Sequence, residues 1–246
     1  MELISGRPSG RRGRARRSSP LRRADIIADA IGETELGRLD ELTMRGIADR
    51  LLVTPMALYA HVADKDEILD EVLDHVLGRL PMPVTCNWRG WMSEFAEQLH
   101  QTLRDHPALL DRYLRRPVGV RAAVARMEAA FAVLHDAQFD DDECVDVYAE
   151  LHACTVGFSA LEVTRHAATI DVGGAPLSLT SDTPGFWPAY CSMLDETEFP
   201  NLSRIRPDLD RFATAERFLK VVRDLLASHQ PRPARRPRRR NQETEE

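Results

Sequence analysis

Three helix-starting signals stand close together at Thr43, Thr54-Pro55 and Asp64, and they leave room only for short helices between them. A Thr or Asp just before an apolar run offers its side-chain oxygen to the free N–H groups of a helix's first turn. A proline directly after it fits, because no N–H is needed there. Thr43 precedes the face Met44, Ile47, Ala48 and Leu51, and Thr54-Pro55 opens a second segment. Asp64 and Glu67 form an Asp-x-x-Glu capping box ahead of Ile68, Leu69, Val72, Leu73, Val76 and Leu77, a run that ends at Pro81. Two short helices joined by Leu52-Val53 read as a helix-turn-helix, whose second helix enters the major groove while the first crosses the backbone. The crowding of Tyr59, His61 and Lys65 then has a chemical reason. Side chains flanking the groove bond phosphates and set register without reading bases. Thr43 adds a hydroxyl at a helix N-terminus, and Arg45 reaches a phosphate or a base edge.

The rest of the chain is helical in period, with no competing strand pattern. Ser19-Pro20 reads as the start of a first helix with the face Ala24, Ile27, Ala28 and Ile31. Beyond Pro81 and Pro83, Trp88, Met92, Phe95, Leu99 and Leu103 mark a helix that ends before Pro107; Val120, Val124, Met127, Phe131 and Leu134 mark the next. Residues 141–166 are apolar on nearly every side (Val145, Tyr148, Leu151, Val156, Phe158, Leu161), so this helix needs cover on two faces. Residues 169–184, with Gly173-Gly174-Ala175-Pro176, read as a loop, and Phe212, Ala215, Phe218, Leu219, Val222 and Leu226 mark a last helix.

Charge is unevenly distributed. The 246 residues carry a net −6, but residues 1–23 hold eight arginines against Glu2 alone, and residues 232–240 hold six more. The body between them has 19 basic and 35 acidic residues. Basic ends of this kind meet nucleic acid or acidic surfaces. Residues 24–80 hold five basic residues against thirteen acids, so the arm in front is expected to supply attraction to phosphate, from the minor groove as homeodomain arms do. Residues 1–19 are expected to be a disordered Arg-rich arm and 230–246 a disordered Arg/Pro-rich tail.

Other classes lack support. No run of 18 apolar residues suggests a membrane span, and no signal core suggests export, so a cytoplasmic location is expected. Cys86, Cys144, Cys154 and Cys191 fit no zinc spacing and read as reduced thiols. GxSxG, HExxH and Gly-rich phosphate loops are absent, so no catalytic set, metal or cofactor is expected.

The stretch LTMRGIADRLLVTPMALYAHVADKDEIL, within about 20–80, resembles the DNA-binding domain of the TetR (tetracycline repressor) family of transcriptional regulators. The string Leu-Tyr-x-His-Val-x-x-Lys is its distinctive part. The resemblance implies DNA contacts by Thr43 and Arg45 on the first motif helix, by Thr54, Pro55, Met56 and Ala57 at the opening of the recognition helix, and by Tyr59, His61 and Lys65 as a phosphate clamp. Leu52 departs from the pattern, which usually has Gly in the turn; so does Ala60, where a larger or basic residue is common. Residues 115–162 resemble the C-terminal domain of the tetracycline-repressor subgroup. The implied fold is all-α: an N-terminal three-helix helix-turn-helix domain (20–80), linked by a fourth helix to a helical ligand-binding and dimerisation domain (84–229). A homodimer through 141–166 and 208–228 is implied, with Val156 and Phe218 in its contact. The implied partners are a double-stranded DNA operator and a small-molecule effector that releases it. The polar ligands of magnesium–tetracycline fall near Glu94, Arg112 and Ala130 and are not reproduced. Effector contacts are sought instead among polar-tipped residues on apolar helices: His100, Tyr113, Tyr148, His152, Trp187 and Tyr190. An architectural DNA-binding protein that uses its arginine arms without a ligand is the alternative, marked by sequence-independent binding with a steep salt slope.

Overall fold

A computed structural model describes residues 19–115, 120–167, 169–172, 175–178, 195–211 and 214–231. The architecture is all-α. Helices α1 (Arg23–Glu35), α2 (Met44–Arg50), α3 (Pro55–Tyr59) and α4 (Lys65–Arg79) come first, with a 3-10 turn at Leu39–Glu41. Then follow α5 (Trp88–Asp105), α6 (Pro107–Arg115), α7 (Arg121–Asp136), α8 (Asp141–Ala167), α9 (Pro200–Ile205), a 3-10 turn at Arg206–Arg211, and α10 (Ala215–Ser228). Among the described residues the strands are β1 (Thr169–Val172) and β2 (Ala175–Ser178), an antiparallel hairpin with Asp171 opposite Pro176. The loop expected at 169–184 is therefore in part a hairpin. Four residues a side gave too short an alternation to register as a strand.

One other boundary differs from expectation. α1 starts at Arg23, not at Ser19-Pro20, because the Asp25 carboxylate accepts the Arg22 N–H at 2.9 Å and fixes the first turn there. Its buried face is Ile26, Ala30, Glu33 and Thr34; Ala24 and Ala28 are exposed. α5 ends at Asp105, before Pro107 as expected, but Pro107 then opens a helix that the spacing did not mark. The proline is the first residue of α6, where a missing N–H costs nothing.

Two hydrophobic clusters hold the helices. The first joins α1–α4 to Leu99 and Leu103 of α5 and to Leu109, Leu110 and Tyr113 of α6. The second gathers Met92 and Phe95 of α5, Ala130 and Leu134 of α7, Val147 and Leu151 of α8, and Phe218, Val222 and Leu226 of α10. α4 packs on α1, α6 and α7, which ties the helix-turn-helix to the rest of the chain. The ties are polar at helix ends as well. Asp40 accepts the Ala108 N–H of α6 at 2.7 Å, and Asp74 accepts the Ala122 N–H of α7 at 2.7 Å.

Candidate nucleic-acid interface and effector seat

The caps read from sequence position the helix-turn-helix. Thr43 Oγ1 accepts the Gly46 N–H at 3.0 Å, Thr54 Oγ1 the Ala57 N–H at 3.3 Å, and Asp64 the Glu67 N–H at 2.8 Å. The capping box is shifted by one residue: Glu67 reaches back to the Ala63 N–H at 2.6 Å. Between α2 and α3, Leu52 has φ 57, with Leu52 N–H bonded to Asp49 O and Val53 N–H to Ala48 O. This pattern closes α2 with a left-handed residue, a position where glycine is usual. The Leu52 side chain escapes outward and is exposed.

Leu58 is fully buried and anchors α3 from beneath. That leaves Thr54, Pro55, Met56 and Tyr59 exposed, Met56 to 77%, and Ala57 and His61 half-buried. An exposed methionine this large on a five-residue helix is not there for the protein's own core. Arg38 and Arg50 are held by Glu33 and Asp29 at 2.9 and 2.7 Å, and Arg79 lies 3.8 Å from Glu35. Arg45 and Lys65 have no ion pair among the described residues. Thr43, Arg45, the opening of α3, Tyr59, His61 and Lys65 therefore gather at the N-termini of α2 and α4 and along α3, with their reactive ends unclaimed apart from the two threonine caps.

Of the effector candidates, Tyr113, Tyr148 and His152 come together between α5, α6, α7 and α8. Tyr148 stacks on His152 at 5.6 Å, Tyr113 lies 5.6 Å from the same imidazole, and Phe131 and Phe95 lie 5.1 and 6.4 Å from Tyr148. Burial pushes the Tyr148 hydroxyl up to about 12, raises Tyr113 further with Tyr148 adding to the effect, and lowers His152. At neutral pH both phenols are thus protonated and the imidazole is neutral. His100 stands apart. Its Nδ1 lies 3.0 Å from Ser159 Oγ, its Nε2 lies 3.1 Å from Glu162 at an angle outside a good hydrogen bond, and its ring stacks on Phe218 at 4.1 Å. It is a core histidine with Ser159 on Nδ1 and a carboxylate facing Nε2 without a good hydrogen bond. Trp187 and Tyr190 lie outside the described residues.

Sequence reasoning missed Arg126 of α7. It is 4% exposed, its guanidinium lies 5.0 Å over the Phe95 ring, and it donates to Gln98 at 2.9 Å and to the Leu80 carbonyl at 3.3 Å. The signal was present: Ala122, Arg126, Ala130 and Leu134 recur every four residues, a ridge of small residues broken by one long cation. The face read from sequence put Val124 inward, whereas it is 44% exposed. Of the positions near which tetracycline contacts would fall, Arg112 is turned away to α4, where it holds Asp70 and Asp66, and Ala130 is core. An open cavity of about 610 Å³ lies elsewhere, against Phe158 and Leu161 of α8, Ile205 of α9 and Val221 of α10. It opens outward beside an exposed stripe of α8, and Asp208, Arg211 and Arg217 complete its lining. Among the described residues no three His, Cys, Asp or Glu side chains could share a metal ion, and no helix is long and apolar enough to cross a membrane.

Residues 80–205, just over half the chain, match the family profile described as tetracyclin repressor-like, C-terminal domain. The chain belongs to the TetR family of transcriptional regulators. It is 34% identical over 154 residues to an HTH-type transcriptional regulator of Saccharopolyspora erythraea, a match covering 61% of this chain and 65% of that protein, short of two thirds of its length. It is 28% identical over 214 residues to the HTH-type transcriptional repressor DrrR1 of Streptomyces coeruleorubidus, covering 82% of this chain and 74% of the relative. Among solved structures, the fold matches the TetR family protein ActR of Streptomyces coelicolor in complex with actinorhodin, with a TM-score of 0.65, 24% identity and coverage of 85% and 95% of the two chains. It also matches BioQ with its double-stranded DNA operator, with a TM-score of 0.52, 21% identity and coverage of 85% and 99%.

Proposed function

We propose that this protein is a homodimeric transcriptional repressor that binds a palindromic operator through α2, α3 and the start of α4, and is released by a small molecule seated in the aromatic cluster between α5 and α8. One observation carries the reading. Within residues 24–80 most carboxylates and most arginines are engaged inside the protein, while the side chains of Arg45, Tyr59, His61 and Lys65 at the exposed rim of the helix-turn-helix have no partner among the described residues. Polar groups left free along one rim fit a surface of phosphates. Relatives that are repressors, and fold-mates crystallised with an operator or with actinorhodin, support both halves of the proposal.

The dimer surface belongs to the outer face of α8. Val145, Ala149, Ala153, Gly157 and Leu161 recur every four residues and are all exposed, and a Cβ added at Gly157 would meet nothing within 4 Å. Small residues at this spacing let a second helix approach closely. The expected contact residues need correction. Phe218 is 1% exposed in the core of its own protomer, and Val156 packs against the first cluster.

The test is a footprint on the DNA flanking the coding region, repeated with Tyr59→Phe and Lys65→Ala. A protected palindrome, bound more weakly by both variants with unchanged base preference, is the expected result. Diffuse coverage, or a change in which base pairs are preferred, would contradict the proposal.

A further inference from the structure

The polar groups buried between α5, α6, α7 and α8 do not satisfy one another. Arg126 is 4% exposed, yet both of its acceptors, Leu80 O and Gln98 Oε1, are neutral. No carboxylate pairs with it among the described residues, and burial lowers its pKa. Tyr113 is also 4% exposed, and neither its hydroxyl nor that of Tyr148 hydrogen-bonds to a described residue. His152 Nδ1 is buried without a partner. A buried guanidinium without an anion is costly, and a buried ring nitrogen without a partner adds to the cost. The four groups share one neighbourhood, since Arg126 acts electrostatically on both phenols and both tyrosines lie 5.6 Å from the His152 ring.

We infer that this seat takes a planar aromatic acid, with its anionic group on Arg126 and the Tyr113 and Tyr148 hydroxyls, and its ring system against Phe131, Tyr148 and His152. The inference rests on the reading of this cluster as the effector seat and adds the ligand's class. The walls are aromatic, which favours a flat, polarisable ligand. The single formal charge is positive, which disfavours cations and favours a carboxylate or an acidic phenolate. The two phenols and Arg126 donate, and His152, neutral, offers one acceptor or one donor by tautomer. The donor excess again calls for an acceptor-rich ligand. Arg126 also ties this seat to the DNA-binding part: Leu80, whose carbonyl it holds, is the C-cap of α4. An anion that draws the guanidinium inward competes with that bond.

The test uses the full-length protein and a panel of benzoic, naphthoic and anthracene carboxylic acids, each paired with its uncharged carboxamide. Binding is read by calorimetry and thermal shift at neutral pH, and operator binding is measured on the same samples. At least one acid is expected to bind about tenfold or more tightly than its amide, the range of one charge-assisted contact. Arg126→Gln should remove most of that preference, Arg126→Lys should keep part of it, and Tyr148→Phe should weaken the acid more than the amide. If Arg126→Gln does not fold, the wild-type ratio together with Arg126→Lys and Tyr148→Phe still decides. Amides that bind as well as acids, or a panel in which nothing binds, would overturn the inference. Operator binding without acid binding removes the ligand class and leaves the repressor reading standing. Acid binding by a protein that binds no operator does the reverse.

Discussion

Arg112 is the side chain whose removal most directly tests how the two parts of the molecule are joined. It stands on α6 with its side chain 9% exposed and grips Asp70 of α4 through two nitrogens and Asp66 through a third, at 3.2 Å. Breaking a fully buried pair costs about 3–5 kcal/mol because the surviving charge is stranded. An exposed pair contributes about 0–1 kcal/mol. The Asp70 side chain is 22% exposed and Asp66 is 61% exposed, so once the arginine is gone Asp70 can recover part of its hydration and Asp66 nearly all. Arg112→Ala should therefore destabilise the protein by about 2–3 kcal/mol, including the lost packing of the arginine stem. Asp66→Asn should stay within about 0.5 kcal/mol. The assay is urea unfolding of Arg112→Ala, Asp70→Asn and the double variant. A coupling of about 1–2 kcal/mol between Arg112 and Asp70 is expected. Additivity of the two single changes, or an Arg112→Ala variant as stable as the parent, would show that the geometry is present without the energy.

Leu52→Gly should leave the protein more stable than Leu52→Ala by roughly 1 kcal/mol, since the left-handed turn strains any Cβ and alanine retains it; thermal melts that rank alanine above glycine would count against the strain. Because burial lowers the His152 pKa, the unfolded chain takes up a proton near the ordinary histidine value while the folded one resists. Stability should then fall as pH drops below about 6.5, by at most about 1.4 kcal/mol per unit from this group, and the difference between wild type and His152→Gln isolates it. A difference that is flat between pH 7.5 and 5 would refute the assignment. Deleting residues 1–18 removes six arginines and should make the salt dependence of operator binding shallower by about 0.9 for each phosphate the arm neutralises; superimposable salt curves would show the arm to be idle.

The caps of α2, α3 and α4 and the place of Pro55 were legible in the sequence because each acts within one turn of its own helix, whereas the start at Ser19-Pro20 was misplaced. Thr43, Thr54 and Asp64 all cap as their residue types require. Leu52 was legible too, as the residue standing in a turn that favours glycine. What failed was the assignment of faces on helices with many small residues. On α1, alanines lie on both sides, and the inward face was settled by Ile26 meeting its neighbours. On α7, Val124 lost the interior to Arg126, which no hydrophobicity pattern favours. His100 and Tyr113 look alike as polar tips on apolar helices, and only tertiary neighbours separate them: Ser159 and Glu162 meet the first, while no described residue takes up the hydroxyl of the second.

The acidity of residues 24–80 counts for less on DNA than its formal sum suggests, once the carboxylates are placed. Asp25 holds Arg22, and Asp29 and Glu33 hold Arg50 and Arg38. Glu67 and Glu71 hold Arg23, and Asp66 and Asp70 hold Arg112. Asp64 caps α4, while Asp40 and Asp74 serve the N-termini of α6 and α7. A carboxylate beside a cation or a helix N-terminus acts at a distance as a dipole, and at physiological salt even a bare charge is screened over about 8 Å. Three of the balancing cations, Arg22, Arg23 and Arg112, come from outside the window. Arg22 and Arg23 are thereby committed to α1 and α4 and are not free members of the arm. Near the exposed rim, Arg45 and Lys65 are left without a pair among the described residues. The local field at the proposed DNA face is thus set by those two cations and the α2 and α3 N-termini, not by the domain's sum. It follows that loss of the arm should change the salt slope and the affinity without abolishing operator binding, whereas loss of Arg45 and Lys65 together should abolish it even with the arm intact.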